Sequence, residues 1–498
     1  MLQGSRSRAS SASTLVAPLA TTVPSSVDAP TSSTPEDDAN SNSYWAAKHH
    51  RVQKYIHQNH RMPEWYAHEK HIFIFSWAGR PIFSRYGDET EISDFMGVMS
   101  SFIANFQRLG DNIQAIYAGD YKFVFLFRGP IYMVCISRSP ETVSQLQQQL
   151  SLAHQQILSV LSGSVHRVLE DHPTYDIRLL MAGTELMLHD VINDAERTPA
   201  LLLDAVPALR LNKASRAKIL TALKKGTKGK SKRLLYSVLI AGGRLVAFSR
   251  EKDAPLYVND MLLLTNFLTN SQSLRSSDSW APFCLPCHSP DSFVYVYSSY
   301  VARDVCLAFV TTDPSDVKAL REARGEVCKV LDSRELTQDL AEAMSLQAWT
   351  VDDIAVGSPD LRHFLFRSMQ LNQFVTSAPA EPYVDSAAPD AGGMKLLRRY
   401  QRACGALAGG HPQPADAGRS ALAQQTAKAL AASAAACTRH TLYYEVGQDA
   451  VVLGIVRPGD FELYATFLPL TSKETALAAS HRVLHWIKRE EPNLFISQ

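Results

Sequence analysis

The rhythm of apolar and polar positions changes along this chain in a sequence that recurs. Lys70-His71-Ile72-Phe73-Ile74-Phe75-Ser76 and Arg80-Pro81-Ile82-Phe83-Ser84-Arg85 are apolar runs joined by Trp77-Ala78-Gly79, a strand–turn–strand signature. Apolar residues then recur at helical spacing, at Ile92, Phe95, Met96, Met99, Phe102, Ile103 and Phe106. Residues 122–127 and 131–136, joined by Arg128-Gly129-Pro130, predict a hairpin. Its strands are apolar on both faces, so both faces of their sheet need cover or a partner. A stripe of Leu146, Leu150, Ile157, Leu161, Val165 and Leu169 predicts one long helix, ended by Pro173.

The same order returns twice. Residues 234–240 and 244–249 flank Gly242-Gly243, a helix follows over 256–268, strands over 293–300 and 305–310, and a helix from Pro314 to about residue 331. A third set opens at His363-Phe364-Leu365-Phe366-Arg367 and closes with strands at 442–446, 451–456 and 461–467. Its last helix carries Ala476, Ala479, Val483, Trp486 and Ile487. Three copies of β-β-α-β-β(-β)-α predict three α/β (α+β) modules, each a small antiparallel sheet packed with helices.

This patterning divides the chain. Residues 1–43 are rich in Ser, Thr, Ala and Pro and cannot bury enough apolar surface to offset ordering entropy, so they read as a disordered tail. Residues 44–64 form a linker or leading helix, 65–211 the first module, 212–232 a basic linker, 233–345 the second module and 346–498 the third. The third carries an Ala-rich insert at 415–437.

Composition narrows the function. Hydrophobic content of 46% and charged content of 20% are those of a globular chain, and a net charge of +1 predicts no bulk attraction to nucleic acid. No apolar run reaches the roughly 20 residues that span a bilayer, and the N-terminus lacks the apolar core of a secretory signal, so a cytoplasmic chain is expected. Seven cysteines are an odd, sparse set that does not suggest a disulfide framework. Cys284-Leu285-Pro286-Cys287-His288 mimics a metal or redox motif, but it has no second ligand pair, and Pro282 and Pro286 place it in a loop. No metal and no cofactor are expected.

The wording of several segments resembles the SAND family of vacuolar fusion proteins. The carriers are residues 70–87, Phe95-Met96-Gly97-Val98-Met99, and Ala118-Gly119-Asp120-Tyr121-Lys122-Phe123-Val124-Phe125 with Arg128-Gly129-Pro130-Ile131-Tyr132. Further on come Trp280-Ala281-Pro282-Phe283-Cys284-Leu285-Pro286, Phe461-Glu462-Leu463-Tyr464-Ala465-Thr466-Phe467 and Trp486-Ile487-Lys488-Arg489-Glu490-Glu491. The resemblance implies three longin domains and an obligate heterodimer with a Ccz-one-type longin subunit. It implies a guanine-nucleotide exchange factor for the late-endosomal or vacuolar Rab GTPase, peripheral on late endosome, vacuole or lysosome. Recruitment by the early-endosomal Rab and by anionic phosphoinositide membrane is implied as well. A longin-based effector or tether without exchange activity is the alternative.

Exchange needs no nucleophile and no acid–base pair, because binding nucleotide-free GTPase more tightly weakens nucleotide affinity by the same factor. The resemblance points to Arg85, Tyr86, Glu91, Ser93 and Asp94 for the GTPase, with Glu91 or Asp94 pairing its P-loop lysine. The competing reading is that acidic residues here simply favour a helix N-terminus. Phe95, Met99, Phe102 and Phe106 are core or a partner interface. Trp280 is either core or the anchor for the recruiting GTPase. Lys213, Arg216, Lys218, Lys224, Lys225, Lys228, Lys230, Lys232 and Arg233 lie in a stretch with no Asp or Glu from Ala205 to Arg250. Such a cluster adds about 1 kcal/mol per basic residue at an anionic membrane. Ala217, Ile219, Leu220 and Leu223 offer a short apolar face for insertion. A solvated linker and a nucleic-acid patch are the other readings.

Overall fold

The computed structural model describes residues 21–22, 55–181, 183–251, 255–271, 274–275, 277–345, 350–351, 357–384, 389–408 and 441–497. All but Thr21 and Thr22 of the expected tail, and the whole Ala-rich insert at 415–437, lie outside the described residues.

Among these residues stand three mostly antiparallel sheets packed with helices, as the repeated pattern predicts. In the first module, helix α1 (Pro63–Ala67) leads into β2 (Lys70–Ser76), β3 (Pro81–Ser84) and helix α2 (Ser93–Arg108). Then follow β4 (Ala115–Ala118), β5 (Tyr121–Arg128), β6 (Ile131–Ser137) and helix α3 (Val143–Leu161). The sheet runs β3-β2-β6-β5-β4. The second module repeats that order with β8 (Leu234–Ala241), β9 (Arg244–Arg250), β10 (Ser279–Cys284), β11 (Phe293–Ala302) and β12 (Val305–Thr311), arranged β10-β11-β12-β8-β9. The third repeats it with β13 (Leu361–Ser368), β14 (Gln373–Thr376), β15 (Thr441–Val446), β16 (Val451–Arg457) and β17 (Phe461–Phe467), arranged β15-β16-β17-β13-β14.

Two short strands join these sheets. β7 (Val206–Pro207) adds in parallel beside β14, while Ala208 next to it bridges Leu245 of β9. One connecting segment thus closes the equivalent edges of the second and third sheets. β1 (Thr21–Thr22) pairs Trp280 and Ser279 of β10.

Three sequence expectations need correction. The stripe from Leu146 to Leu169 is two helices, α3 and α4 (Ser164–Asp171), broken at Ser162 and Gly163. The break follows from close approach, because a Cβ on Gly163 would lie 2.4 Å from the Asp291 carboxylate and 3.2 Å from the Pro290 carbonyl of the second module. Residues 279–284, to which the sequence pattern assigns no strand, form strand β10 near the edge of its sheet, where the missing N–H of Pro282 is tolerated, and the expected loop follows it as a turn over Pro286–His288. The basic segment is not an open linker: Lys213–Thr227 is helix α7, capped by the Asn212 side chain on the Ala214 N–H, with Ile219 and Leu223 fully buried in the second module. These residues are therefore core and not available for membrane insertion. Helices α5 (Arg178–Met181) and α6 (Glu185–Arg197), which the pattern analysis left unassigned, complete the first module.

The other helices are α8 (Val258–Asn270), α9 (Val317–Leu331), α10 (Arg334–Ser345), α11 (Pro389–Ala408) and α12 (Lys473–Leu494). None among the described residues is long and apolar enough to cross a membrane.

Candidate functional site: the first sheet and its helix

The turn from β3 into α2 is pinned from below. Gly87 has φ +89°, and a Cβ there would meet the Gln58 carbonyl at 2.3 Å, so only glycine fits. The Glu89 carboxylate accepts the Ser84 N–H at 3.0 Å, and burial pushes Glu89 above the usual carboxylate range. The Ser93 hydroxyl donates to the Thr90 carbonyl at 2.7 Å.

The five residues expected to meet a GTPase divide by environment. Arg85 is turned inward: its guanidinium makes a bidentate pair with Glu196 of α6, 2.5 Å for both bonds, and donates to Asn193 at 3.3 Å. Tyr86 is half-buried, stacked on His68 at 3.7 Å between ring centroids. Arg85 is committed to internal contacts, so an exposed GTPase-binding role for it is corrected, while Tyr86 keeps part of its surface open. Glu91 and Asp94 point outward and are exposed, with Ser93 half-buried between them. Glu91 accepts the amide of the half-buried Asn59 at 3.3 Å. The turn therefore offers two carboxylates on a rigid base.

That base is a buried charge network invisible to motif reasoning. Lys70 pairs with Glu196 at 3.0 Å and with Glu141, and donates to Gln149 at 2.9 Å. Burial alone pushes the Glu196 carboxyl up, but Lys70 and Arg85 outweigh it and hold Glu196 at about 2. Burial would likewise lower the Lys70 ammonium, and Glu196 with Glu141 reverses that, leaving it above its ordinary value. An apolar stretch holding a lysine at one strand start was the only sequence signal for this site.

Helix α2 buries Met96, Ser100 and Ile103 against the sheet. Its outer face leaves Val98, Phe102 and Leu109 exposed, Leu109 to 82%. Of the expected stripe, Phe95, Met99 and Phe106 are half-buried, and Phe102 meets Phe106 edge-on at 5.0 Å. At the far side of the sheet, β4 is an edge strand with Tyr117 69% exposed, and both ends of β5 are only half-buried. Among the described residues, strand β4 at one edge of the first sheet and the apolar side chains of Val98 and Phe102 on α2 are exposed.

Other expected residues are scattered. Trp280 lies on β10, half-buried and stacked on Tyr295 at 5.5 Å. On and after α7, Lys213, Lys218, Lys224, Lys225, Lys228, Lys232 and Arg233 are exposed and Lys230 is half-buried. Lys218 pairs with Glu335 at 2.7 Å and Lys230 with Glu326 at 2.8 Å. Arg216 is corrected: it is buried, and its guanidinium donates to the carbonyls of Leu209, Pro492, Asn493 and Phe495 at 2.6–3.1 Å. It seats the C-terminal end of α12, where a cation suits the helix dipole, and desolvation brings it down to about 10. The Cys284-x-x-Cys287 turn is organised by Asp260, which accepts the N–H groups of Cys287 and His288 at 2.9 and 2.8 Å. Among the described residues no group of three or more His, Cys, Asp or Glu is placed to hold a metal ion.

Comparison with known proteins follows the same three-part division. The family models for the first, second and third longin domains of FUZ, MON1 and HPS1 match residues 70–191, 232–329 and 360–491. The chain is 32% identical over 435 residues to vacuolar fusion protein MON1 homolog A of Macaca fascicularis, covering 87% of this chain and 72% of that protein. It is equally identical over 435 residues to MON1 homolog A of Homo sapiens, of which it spans 61%, less than two thirds. Protein SAND of Takifugu rubripes is 31% identical over 435 residues, with 87% of this chain and 77% of that protein covered.

Proposed function

The chain belongs to the MON1 (SAND) family of vacuolar fusion proteins, built of three longin domains, and on that premise we propose that it is one subunit of a heterodimeric guanine-nucleotide exchange factor. The partner is a Ccz-one-type longin subunit and the client the late-endosomal or vacuolar Rab GTPase. The observation that supports this reading is the exposure, among the described residues, of the β4 edge with Tyr117 and of Val98 and Phe102 on α2. A longin sheet left open at one edge is completed by a second chain. The exposed carboxylates of Glu91 and Asp94 stand at the start of that same helix.

Chemically the reading asks for no covalent step. The heterodimer binds the nucleotide-free GTPase more tightly than the nucleotide-bound form, and linkage weakens nucleotide affinity by the same factor. A carboxylate at Glu91 or Asp94 replaces the departing phosphate as counter-charge for the GTPase lysine. The exposed lysines of α7 and its following turn face an anionic membrane, and Trp280 receives the early-endosomal Rab, which together give a peripheral location on late endosome or vacuole.

The test is release of fluorescent GDP from the late-endosomal Rab, with this chain alone, the partner alone and both. Acceleration only with both chains, lost on Glu91→Lys with Asp94→Lys, is the expected result. A verified heterodimer that binds only the GTP-loaded Rab and accelerates nothing makes the chain an effector or tether.

A further inference from the structure

Helix α11 carries Lys395, Arg398, Arg399 and Arg402 at positions i, i+3, i+4 and i+7, one face of one helix. These four cations line a single open pocket of about 720 Å³ between the first and third domains, with Pro140 of the first domain as part of its wall.

The helix is fixed in place there. The Gln401 amide donates to Glu141 and its carbonyl accepts from Gln145, both at 3.0 Å. A Cβ on Gly405 would approach the Thr142 methyl to 2.6 Å. Arg399 is 7% exposed, with its guanidinium over the Tyr383 ring at 5.7 Å, so one cation is pre-organised.

Three of the four cations are only loosely neutralised. Lys395 and Arg399 share one carboxylate, Asp449, at 3.2 and 3.7 Å. Arg402 lies 3.6 Å from Glu445, and Arg398 pairs with Glu69. Asp449 is 62% exposed, and exposed pairs of this kind contribute about 0–1 kcal/mol. Four cations face three carboxylates, and the three longer pairs, those of Lys395, Arg399 and Arg402, exchange readily for an anion that offers several oxygens at once. Three guanidiniums suit phosphate oxygens bidentately, and four cations within two turns of one helix suit a compact molecule better than an extended acidic peptide.

We propose that this pocket binds a compact polyphosphorylated anion, the chemistry shared by soluble inositol phosphates and phosphoinositide headgroups. It is separate from the basic surface of α7 and from the exchange reading, and it ties the first and third domains together through one ligand.

The probe is inositol hexakisphosphate, titrated calorimetrically into the full chain at an ionic strength of about 0.15 M. The expected result is one saturable site per chain, weakened at least tenfold by Lys395→Gln with Arg402→Gln. Both side chains are exposed, so thermal unfolding of that variant checks its fold independently. Lys488→Gln, an exposed cation on α12, leaves the affinity unchanged. Sedimentation with phosphatidylcholine vesicles, with and without a phosphoinositide, separates the sources. Recruitment that needs both the phosphoinositide and Lys395 with Arg402 makes the ligand a headgroup, and soluble binding without such recruitment makes it a free anion. No binding of the hexakisphosphate, or binding that survives the α11 variant, overturns the proposal.

Discussion

Strands β4 and β10 occupy the same place in two copies of one sheet, and they meet opposite fates. β4 has no buried residue, and Tyr117 stands in solvent. β10 buries Ala281, Phe283 and Cys284, because helices α3 and α4 of the first domain lie in the same apolar cluster as Phe283. The topology is identical, so the difference does not come from the fold. It comes from which neighbour the chain itself supplies. The first domain spends its long helix on closing the second, and β7 closes the inner edges of the second and third. The end left uncovered by this internal arrangement is where a second chain has room to add.

The sharpest break of that comparison is a matched pair of substitutions. Phe283→Asp puts a carboxylate into a site 2% exposed and loses a core phenyl ring as well, an expected cost above about 4 kcal/mol. No folded chain should be recovered. Tyr117→Asp should leave thermal unfolding of the isolated chain within about 0.5 kcal/mol. Its expected effect is at least a hundredfold weaker association with the partner subunit, measured by interferometry. Equal destabilisation by both variants would mean that β4 is covered after all.

Next in size is Arg216→Met. Five carbonyls around the junction of the second and third domains lose the Arg216 donor, which predicts a loss of about 3–5 kcal/mol in denaturant unfolding. Partner association should be untouched in whatever fraction folds, since Arg216 belongs to the closed part of the molecule. Weaker association per folded chain would show that the two ends are coupled.

Glu196→Gln probes the floor beneath the open site. Arg85 and Lys70 would keep their charges and lose their shared carboxylate, a cost on the order of 3 kcal/mol. The pH dependence carries a sign. The carboxyl ordinarily titrates near 4.5 and is held at about 2, so its contribution is complete above 4.5 and lost as pH falls toward 2. The wild type should lose stability steeply across that window, and the Gln variant should show a shallower acid limb. Parallel limbs would remove Glu196 from the account.

Most of the fold was legible because burial sets periodicity. The two strands and helix opening each module repeat a local pattern, and local patterns survive translation into structure. What failed was set by long-range contact. Nothing in the run from Leu146 to Leu169 signals that Asp291, more than a hundred residues later, forces the break at Gly163. Pro282 and Pro286 marked the turn over residues 286–288, but the short strand β10 before it, interrupted by Pro282, carried no strand pattern of its own. Arg216 looked like one of nine surface cations, and only the distant C-terminus of α12 reveals why it is buried. In the candidate site, the family resemblance pointed to Glu91 and Asp94, whereas nothing pointed to Glu196, since its partners Arg85 and Lys70 lie more than a hundred residues away in sequence.

The smallest effect decides the most about those two carboxylates. Asp94 sits in the first turn of α2, where a negative charge stabilises a helix by about 0.3–1 kcal/mol and nothing more. Asp94→Asn with Glu91→Gln should therefore shift unfolding by no more than about 1 kcal/mol. If helix-end electrostatics were their whole role, nucleotide release by the heterodimer would change no more than stability does, and added salt would erase the difference. If they serve as counter-charge for the GTPase lysine, release should fall more than tenfold while unfolding barely moves. Only one of these two readings predicts that stability and exchange separate, so measuring both on the same variant tells a helix end from a functional site.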